Sequence, residues 1–391
     1  MMKTREESNL LVICLEGRID STNAQETQEE INRILKENTE KDFLFDAENL
    51  TYISSAGLRI LLSVHKSIKP GVTLRNVSPE VYDTLEVTGF STFLNVKKKP
   101  RSISVEGCPV IGKGAIGIVY RLDADTIVKV YNLDHLSMIE NEQKRSRQAF
   151  LKGIPTAIPF DIVKVDDRYG SVFEMIKAVN CNDLLAAEPE RLEEITGMYA
   201  ALLKQVHGAL SDPGELPDTR DEYIRYLDTV SGVLPADVCE RIRSLILAMP
   251  EDLHIIHGDI QLKNVMLSDG EMILIDMETL GSGNPVFDLA GMFMAYIAFS
   301  EDDPNNSMEF FGLPAETTQK LFFGTLRKYL NAENEEAFRA ALDKIALLGY
   351  VRFLFVLSLI GGGDREFHDL RIAHSREHLE ELSARVTELP I

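Results

Sequence analysis

Oxygen-bearing side chains follow one another at short distances in the C-terminal half of the sequence. Residues 257–264 read HGDIQLKN and place Asp259 five residues before Asn264. Twelve residues after Asn264, an apolar run at residues 272–275 ends in the carboxylate of Asp276. Magnesium prefers hard oxygen ligands, which the Asn264 amide and Asp276 offer, and a carboxylate such as Asp259 can orient a hydroxyl group and accept its proton. Together these residues predict phosphoryl transfer from ATP and Mg²⁺ to a hydroxyl acceptor.

A glycine-rich segment lies far upstream. Residues 112–119 read GKGAIGIV, and their glycines, Gly112, Gly114 and Gly117, let a backbone close over phosphates where a Cβ would obstruct. A dinucleotide-binding turn has similar glycines but is followed by a helix, whereas strands are predicted here at 118–121 and 126–131. Lys129 has apolar neighbours on alternate positions of the second strand, so it needs a counter-charge, which a nucleotide phosphate and a carboxylate on a helix would supply.

That carboxylate is expected on the next helix, predicted at residues 136–152. Glu142 falls on the apolar stripe of this helix, whereas Glu140 falls on its charged face. We therefore predict that Glu142 pairs with Lys129. The alternative is that Glu142 is one more solvated carboxylate.

A buried strand is predicted at residues 171–176, before a helix cap at Asn182-Asp183. It resembles the hinge of kinases, at which main-chain groups of Glu174 and Ile176 would hold an adenine. The motifs follow one another in the order of a kinase-like fold across 165 residues, which argues against coincidence. They predict an α+β bilobal fold, with a β-rich N-lobe and a helical C-lobe, that uses ATP and Mg²⁺ as cofactors.

Three short segments resemble the aminoglycoside/choline phosphotransferase branch of the protein-kinase-like superfamily. They are HGD at 257–259, IDME at 275–278 and NPVFDLA at 284–290. True protein kinases are disfavoured because Gly258 stands where they carry an arginine. Only eleven residues separate Asp276 from Asp288, too few for an activation segment that docks a peptide. The resemblance also implies that Asp288 supports the catalytic loop through hydrogen bonds.

The first hundred residues alternate strands and helices, which predicts a small α/β domain whose sheet is covered by helices. Two segments, ISSAGL at 53–58 and VTGF at 87–90, resemble the STAS domain of anti-sigma-factor antagonists and sulfate-transporter tails. In partner-switching members a serine at the position of Ser55 is phosphorylated, so the resemblance implies Ser55 as a phospho-acceptor. Here Ser54 replaces the aspartate usual before it. The alternative is that both serines only cap the helix.

Composition and charge restrict the classes of partner. The 391 residues carry 41 basic and 62 acidic side chains, a net charge of −21, which argues against a nucleic-acid partner held by its phosphates. Four cysteines without a CxxC pair fit a reducing compartment, and no apolar run has the length of a membrane span. We expect a cytoplasmic protein with neither a nucleic-acid nor a membrane partner.

The uneven charge also divides the chain. Residues 177–391 hold 18 basic and 37 acidic side chains, nearly all of the excess. Residues 97–101 read KKKPR, a basic stretch with a proline that stops a helix. We predict a STAS domain at 1–96, a linker at 97–104, an N-lobe at 105–176 and a C-lobe with the catalytic and metal loops at 177–391.

Two features of the C-lobe each allow two interpretations: its acidic charge, which bears on the phosphoryl acceptor, and a pair of histidines. The acidic C-lobe would attract a cationic acceptor, such as an amino sugar, a choline-like amine or a basic protein segment, but solvated helix faces explain the same charge and are favoured. His374 and His378 are spaced i,i+4. A metal site there needs an acidic or third ligand on the same face, so a charged helix surface is favoured.

Two functions of different classes remain. In the first, the C-terminal 290 residues are an enzyme and the STAS domain senses or reports, with Ser55 or the equivalent serine of a partner protein as one acceptor. In the second, a nucleotide-binding pseudokinase is a scaffold that acts through STAS protein–protein interaction in an anti-sigma-factor-type pathway. The complete set of catalytic residues favours the enzyme, because pseudo-enzymes usually lack at least one of them.

Overall fold

The computed structural model describes residues 2–7, 10–114, 116–132, 136–332, 334–360 and 365–391. The chain divides into two compact units: unit 1 comprises Met1–Ser104 and Val163–Asp167, and unit 2 comprises Val105–Ile162 and Arg168–Ile391. Unit 1 is an α/β domain, and unit 2 has a strand-rich part followed by a helical part. The predicted fold class is therefore confirmed.

Unit 1 is a five-stranded sheet with helices in its crossovers. Its elements are β1 (Thr4–Glu7), β2 (Leu10–Ile19), α1 (Ala24–Glu37), β3 (Asp42–Ile53), α2 (Ser55–Ser67), β4 (Thr73–Val77), α3 (Pro79–Val87) and β5 (Asn95–Lys98). The strand order is β1-β2-β3-β4-β5, with β1 antiparallel to β2 and the other neighbours parallel. The apolar start of β2 is buried, as expected of a parallel strand covered on both faces.

Gly57 lets α2 pack closely on the strand ends. A Cβ at this position would lie 2.6 Å from Cγ1 of Ile53 and 2.9 Å from Cγ2 of Ile19. Both distances are shorter than a van der Waals contact, so only glycine fits this turn. The glycine of the ISSAGL segment therefore has a packing role.

The basic segment predicted as a linker, residues 97–104, contains strand residues. A further strand, β6 (Arg101–Ile103), pairs in parallel with residues 163–165 of the same unit. Nζ of Lys98 lies 3.7 Å from the centroid of the Tyr82 ring, and Nζ of Lys99 lies 3.4 Å from Oε1 of Glu48. These contacts offset the repulsion within the basic run. The domain boundaries themselves stay a prediction.

The first part of unit 2 is built on antiparallel strands. Its elements are β7 (Val110–Lys113), β8 (Gly117–Arg121), β9 (Thr126–Tyr131), α4 (Leu136–Leu151), β10 (Pro159–Val165) and β11 (Arg168–Glu174), and the last three residues of β10 belong to unit 1. Strands β7, β8, β9 and β11 are neighbours in that order and run antiparallel. The predicted stripe of α4 is confirmed for Ile139, Glu142, Ser146 and Ala149, which are buried, but not for Phe150, which is exposed, or for Gly153, which lies beyond the end of the helix.

The second part of unit 2 is a group of helices with short strands. The helices are α5 (Cys181–Ala187), α6 (Leu192–Gly208), α7 (Thr219–Val230), α8 (Ala236–Leu247), α9 (Val286–Phe293), α10 (Phe299–Glu301), α11 (Asn305–Phe311), α12 (Ala315–Leu330), α13 (Glu335–Leu359) and α14 (Arg365–Arg385). The strands are β12 (Val179–Asn180), β13 (Ile255–Ile256), β14 (Val265–Ser268), β15 (Glu271–Leu274) and β16 (Gly281–Ser282). In the described parts of the chain, no helix combines the length and the apolar character needed to cross a membrane.

The hairpin of β14 and β15 positions two of the predicted site residues. Val265 pairs with Leu274 in the antiparallel register. Asn264 immediately precedes the first strand and Asp276 follows the second by two residues, so the pairing brings both to the same end of the hairpin.

The predicted helix cap at Asn182-Asp183 is displaced by two residues. The side chain of Asn180 accepts hydrogen bonds from the N–H groups of Asn182 and Asp183, because α5 begins at Cys181. Asn182 is buried and donates its side-chain amide to the carbonyl of Phe311 at 2.6 Å. The prediction was wrong about the capping residue.

Candidate active site

Of the three glycines in the glycine-rich segment, Gly112 lies in β7, Gly114 follows that strand and Gly117 begins β8. Gly114 donates its N–H to the carbonyl of Gly117 at 2.9 Å. A Cβ on Gly117 would lie 2.3 Å from the carbonyl oxygen of Val130, so this glycine lets β8 approach β9. Among the described residues, a Cβ on Gly114 would meet nothing within 4 Å, and one on Gly112 would make only an ordinary contact with Val119. Packing therefore explains Gly117, and the hypothesis of phosphate binding is best carried by the other two glycines.

Lys129 is held between two carboxylates. Its Nζ donates to Oε1 of Glu142 at 2.8 Å and to Oδ1 of Asp276 at 3.2 Å. The second oxygen of Glu142, a residue only 4% exposed, accepts from the Tyr131 hydroxyl at 2.7 Å. Burial opposes the charged form of Lys129, but the two carboxylates outweigh it and raise the pKa of the lysine above its usual value. The predicted pairing of Lys129 with Glu142 is confirmed.

Asp276 has a backbone conformation that few side chains adopt. Its φ of 66° and ψ of 71° lie in the left-handed region, where aspartate is among the better tolerated residues. The N–H of the preceding Ile275 donates to the carbonyl of Asn264 at 2.9 Å, which fixes the two polar residues as neighbours. The Asp276 side chain is 36% exposed. Part of its carboxylate therefore faces solvent, although one oxygen is on Lys129.

Asp259 and Asn264 are joined directly. Nδ2 of Asn264 donates to both the backbone carbonyl and Oδ2 of Asp259, each at 2.9 Å. Nε2 of Gln261 donates to the same Oδ2 at 3.0 Å. These bonds commit the amide nitrogen of Asn264 to the loop, so its amide oxygen is the atom it offers to a cation. The Asp259 side chain is 36% exposed. It is thus fixed in orientation and still accessible.

Asp288 holds the backbone of this loop. It is fully buried and accepts the N–H of His257 at 2.9 Å and the N–H of Gly258 at 2.7 Å. Nε2 of His207 donates to it at 3.0 Å, while the hydroxyl of Tyr329 donates to Nδ1 of the same histidine at 2.9 Å. Burial would raise the pKa of Asp288, but the hydrogen bonds from His207 and from the backbone N–H of His257 together outweigh it, so the pKa lies below its usual value. The hydrogen bonds that the family resemblance implies are present.

Gly258 occupies a position that excludes a side chain. Its φ is +82°, and a Cβ would lie 2.5 Å from the carbonyl oxygen of Thr279. An arginine in this place would need a different backbone conformation and a displaced Thr279. The glycine that distinguishes the loop from that of protein kinases therefore has a local steric cause.

Sequence reasoning missed Arg352, which supports the loop from α13. Its Nη1 donates to the carbonyl of Gly258 at 2.5 Å, and Nη2 lies 3.7 Å from Oδ1 of Asp259. Burial opposes its charge, but the nearby oxygens of Tyr223 and Asp259 outweigh it and raise the pKa of Arg352. A signal was present, because an arginine within the apolar run at 345–357 must find a partner when it is buried.

Two buried tyrosines that form hydrogen bonds with the backbone of the loop were also missed. The hydroxyl of Tyr199 donates to the carbonyl of Ile260 at 2.6 Å, and the hydroxyl of Tyr296 accepts the N–H of Leu262 at 2.7 Å. The partners are 61 and 34 residues apart in the chain. No local pattern marks such pairs, and the same holds for His207.

The predicted adenine hinge follows β11. Glu174 donates its N–H to the carbonyl of Ile158 at 3.0 Å, and Met175 donates to the carbonyl of Asp125 at 2.8 Å. These bonds fix the start of the hinge segment. Adenine binding by the main chain of Glu174 and Ile176 stays a prediction.

The two serines of unit 1 differ in their surroundings. Ser54 is the N-cap of α2, and its hydroxyl accepts the N–H of Ala56 at 3.2 Å. Ser55 is the first residue of the helix and is exposed. Capping is thus performed by Ser54, which leaves the Ser55 hydroxyl at the surface.

The chain is similar to solved structures at low sequence identity. A choline/ethanolamine kinase family protein from Mesorhizobium loti is 17% identical, with a TM-score of 0.47, over 71% of this chain and 92% of its own. The ADP-bound aminoglycoside phosphotransferase APH(2'')-Ib is 13% identical, with a TM-score of 0.48, over 78% and 99%. The unphosphorylated anti-sigma factor antagonist SpoIIAA is 18% identical, with a TM-score of 0.22, over 25% and 87%. At these scores the similarities carry no inference about function.

Sequence comparisons identify both parts of the chain. The candidate anti-sigma factor antagonist BtrV of Bordetella bronchiseptica is 32% identical over 90 residues, which are 22% of this chain and 77% of that protein. Residues 1–102 match the sequence model of the STAS domain, and residues 107–312 match that of the phosphotransferase enzyme family. The predicted combination is confirmed. Since the second match spans more than half of the chain, the protein belongs to the phosphotransferase enzyme family and carries a STAS domain in its first hundred residues.

Proposed function

We propose that this protein transfers the γ-phosphoryl group of ATP to a hydroxyl group of an acceptor. The observation that carries the proposal is the position of Lys129, whose Nζ lies 2.8 Å from Glu142 and 3.2 Å from Asp276. An ammonium group fixed in this way is suited to neutralise the charge of nucleotide phosphates. Membership of the phosphotransferase enzyme family supports the same reaction class.

The residues at the end of the β14–β15 hairpin fit a magnesium ion. Asn264 offers an amide oxygen and Asp276 offers a partly exposed carboxylate, and both are the hard oxygen ligands that magnesium prefers. In the proposal these two residues hold the ion when nucleotide is bound. Bound magnesium supplies positive charge against the phosphate oxygens.

Asp259 is the proposed base. Hydrogen bonds from Gln261 and Asn264 to its Oδ2 fix the carboxylate, which is still partly exposed. The acceptor oxygen forms the new bond to the γ-phosphorus while the bond from that phosphorus to the β,γ-bridging oxygen breaks. The hydroxyl proton passes to Asp259, and ADP leaves with the electron pair of the broken bond.

Ser55 is the acceptor that we propose to test first. Its hydroxyl is exposed, and the capping function belongs to Ser54. A phosphate at the first turn of α2 would face the positive end of the helix dipole and add roughly two negative charges to the STAS surface. The STAS domain would thereby report the activity of the phosphotransferase. A serine of a partner protein and a small hydroxyl compound are the other acceptors.

The experiment is the intact mass of the full chain after incubation with ATP and magnesium. Four proteins are compared: wild type, Asp259→Asn, Ser55→Ala and the matched control Ser63→Ala, an exposed serine on the same helix. We expect a gain of one phosphoryl group in wild type and in Ser63→Ala, and none in the other two. Binding of a fluorescent nucleotide should be nearly unchanged in Asp259→Asn.

The alternatives give different results. If no mass is gained but wild type hydrolyses ATP slowly and Asp259→Asn does not, the proposed enzymatic activity is supported and the acceptor is another molecule. If wild type and Asp259→Asn both bind nucleotide and neither one transfers phosphate or hydrolyses ATP, the catalytic proposal is wrong and the pseudokinase scaffold is favoured.

A further inference from the structure

Three side chains of metal-ligating types meet at the surface of unit 2, and none of them is among the residues proposed for catalysis. They are Glu301, the last residue of α10, and His374 and His378, one turn apart on α14. Nε2 of His374 lies 3.0 Å from Nε2 of His378, which lies 3.3 Å from Oε1 of Glu301. We call these three residues the His-Glu cluster.

Neighbouring groups fix the orientation of two members. Nδ1 of His374 donates to Oδ1 of Asp302 at 2.8 Å, which places the proton of a neutral imidazole on Nδ1 and a lone pair on Nε2. The hydroxyl of Tyr350 donates to Oε2 of Glu301 at 2.7 Å and leaves Oε1 for the cluster. The Tyr350 ring also stacks on His378, with centroids 4.5 Å apart.

The convergence of these atoms requires a proton or a cation between them. A lone pair of His374, the Nε2 of His378 and a carboxylate oxygen lie within 4.8 Å of one another. In the absence of a cation or a shared proton, their mutual repulsion would separate them. A tetrahedral zinc ion with bonds of about 2.0–2.1 Å separates its ligand atoms by about 3.3 Å. The observed distances of 3.0 and 3.3 Å agree with this value.

We propose that Glu301, His374 and His378 bind one zinc ion. Two imidazoles with one carboxylate suit zinc, whereas magnesium and calcium prefer ligand sets made of oxygen. Asp302 acts as the carboxylate that orients a metal-bound histidine and raises its basicity. The ligand side chains are 29–34% exposed, so the ion can enter from solvent.

The site has an open position and a structural consequence. Three protein ligands leave the fourth corner of a zinc tetrahedron to water or to an exogenous ligand. The ion would also fasten α14 to the end of α10, and through Tyr350 to α13. The sequence favoured a charged helix surface because the histidine pair lacked a third ligand. Glu301, more than seventy residues upstream, provides it.

The test is metal binding by the full chain, produced without a histidine tag and stripped with a chelator. Zinc is titrated at micromolar concentration in millimolar magnesium, which keeps zinc from the oxygen ligands of the proposed nucleotide site. Bound zinc is measured by mass spectrometry, and thermal unfolding is followed with and without the ion. The matched control is His368→Ala, on the same helix but outside the His-Glu cluster.

We expect one zinc ion per chain and a higher Tm with zinc in wild type and in the control, and neither in His374→Ala. Asp302→Asn should retain the site with roughly 10- to 100-fold weaker affinity. Should a histidine variant fail to fold, Glu301→Gln gives the same test with the histidines intact. Zinc absent from wild type, or bound equally by wild type and the cluster variants, would overturn the proposal and leave a shared proton between the ligands.

Discussion

Each unit of the chain contains a buried carboxylate, and the two are neutralised in different ways. In unit 1, Asp46 is 3% exposed and accepts from the guanidinium groups of Arg5 and Arg75 at 2.6 and 3.1 Å. In unit 2, Asp288 is fully buried and accepts from two backbone amides of the loop at 257–264 and from His207.

This difference indicates that Asp46 stabilises the fold of unit 1, whereas Asp288 positions the loop at 257–264. The side-chain partners of Asp46, which include Asn76 besides the two arginines, lie on β1 and β4 of the same sheet, and one of them, Arg5, is half exposed. Removing this carboxylate affects the sheet of unit 1. The partners of Asp288 include the main chain that carries Asp259, so removing it displaces a residue proposed to react. A similar degree of burial therefore predicts different consequences in the two units.

The largest effect is expected from Asp288→Asn. The new amide places an NH₂ group against backbone N–H donors, so we expect at least a ~100-fold lower kcat and a loss of about 3–5 kcal/mol in the free energy of unfolding. Asp46→Asn should leave kcat within about twofold of wild type. Steady-state ADP release and urea unfolding measure both quantities. Equal loss of activity in the two variants would contradict the comparison.

Arg352→Met should have an intermediate effect. It leaves the carbonyl of Gly258 buried without its donor, which costs about 1–3 kcal/mol, and it removes the cation 3.7 Å from Asp259. We expect about tenfold lower kcat with unchanged nucleotide affinity, because Arg352 touches the loop and not the Lys129 side of the site. Arg352→Lys, which keeps the charge, is the control. If the nucleotide affinity falls as much as kcat, the prediction that Arg352 acts only on the loop at 257–264 is wrong.

Lowering the pH should reduce the stabilisation that Asp46 and Asp288 each contribute to the folded state. Burial opposes the ionised forms of Asp46 and Asp288, but it is outweighed by several hydrogen bonds together, led by those from Asn76 in the first case and from His207 in the second, so both pKa values are lowered on folding. Their stabilisation is thus present above the unfolded pKa of about 3.9 and is lost as pH falls through the folded value. The stability difference between wild type and Asp288→Asn should stay constant above about pH 5 and shrink below about pH 4. A difference that grows in acid would reverse this assignment.

Salt should have the smallest effect on the free energy of unfolding. It should reduce the contribution of Asp46 and leave that of Asp288 unchanged. High ionic strength screens the half-exposed Arg5 beside Asp46, so the advantage of wild type over Asp46→Asn should fall by about 0.2–1 kcal/mol. The corresponding difference for Asp288→Asn should not change, because its partners are buried. Urea unfolding at low and high sodium chloride measures both. An equal response would mean that exposure does not separate the two sites.

Local spacing predicted the parts of the site that lie close in sequence. Lys129 and Glu142 are 13 residues apart, and the helical stripe was sufficient to choose Glu142 over Glu140. Asp259 and Asn264 lie within one loop whose spacing is itself the signal. The strands around Lys129 and the helix after them were predicted for the same reason, since alternation and helical periodicity are properties of short segments.

The partners that were missed come from distant segments. Arg352 meets Gly258 across 94 residues, and Asp302 meets His374 across 72. Their positions depend on how helices of unit 2 pack, which the periodicity of a single helix does not encode. The capping residue of α5 was predicted wrongly for a local reason. Asn180 and Asn182 are the same residue type and cap equally well, so only the position at which the helix starts decides between them.

The hydrogen bond from Arg352 to Gly258 determines how late in synthesis the active site can be completed. A ribosome that has just added Gly258 must add 94 more residues before Arg352 exists. At 5–20 residues per second this takes roughly 5–19 seconds, and only after Asp288 has been added does the nascent chain hold every sequence motif of the site, still without the bond from Arg352. Catalytic competence should therefore arise late in synthesis. A chaperone that shields the apolar run at 345–357 would then also protect the step that completes the active site.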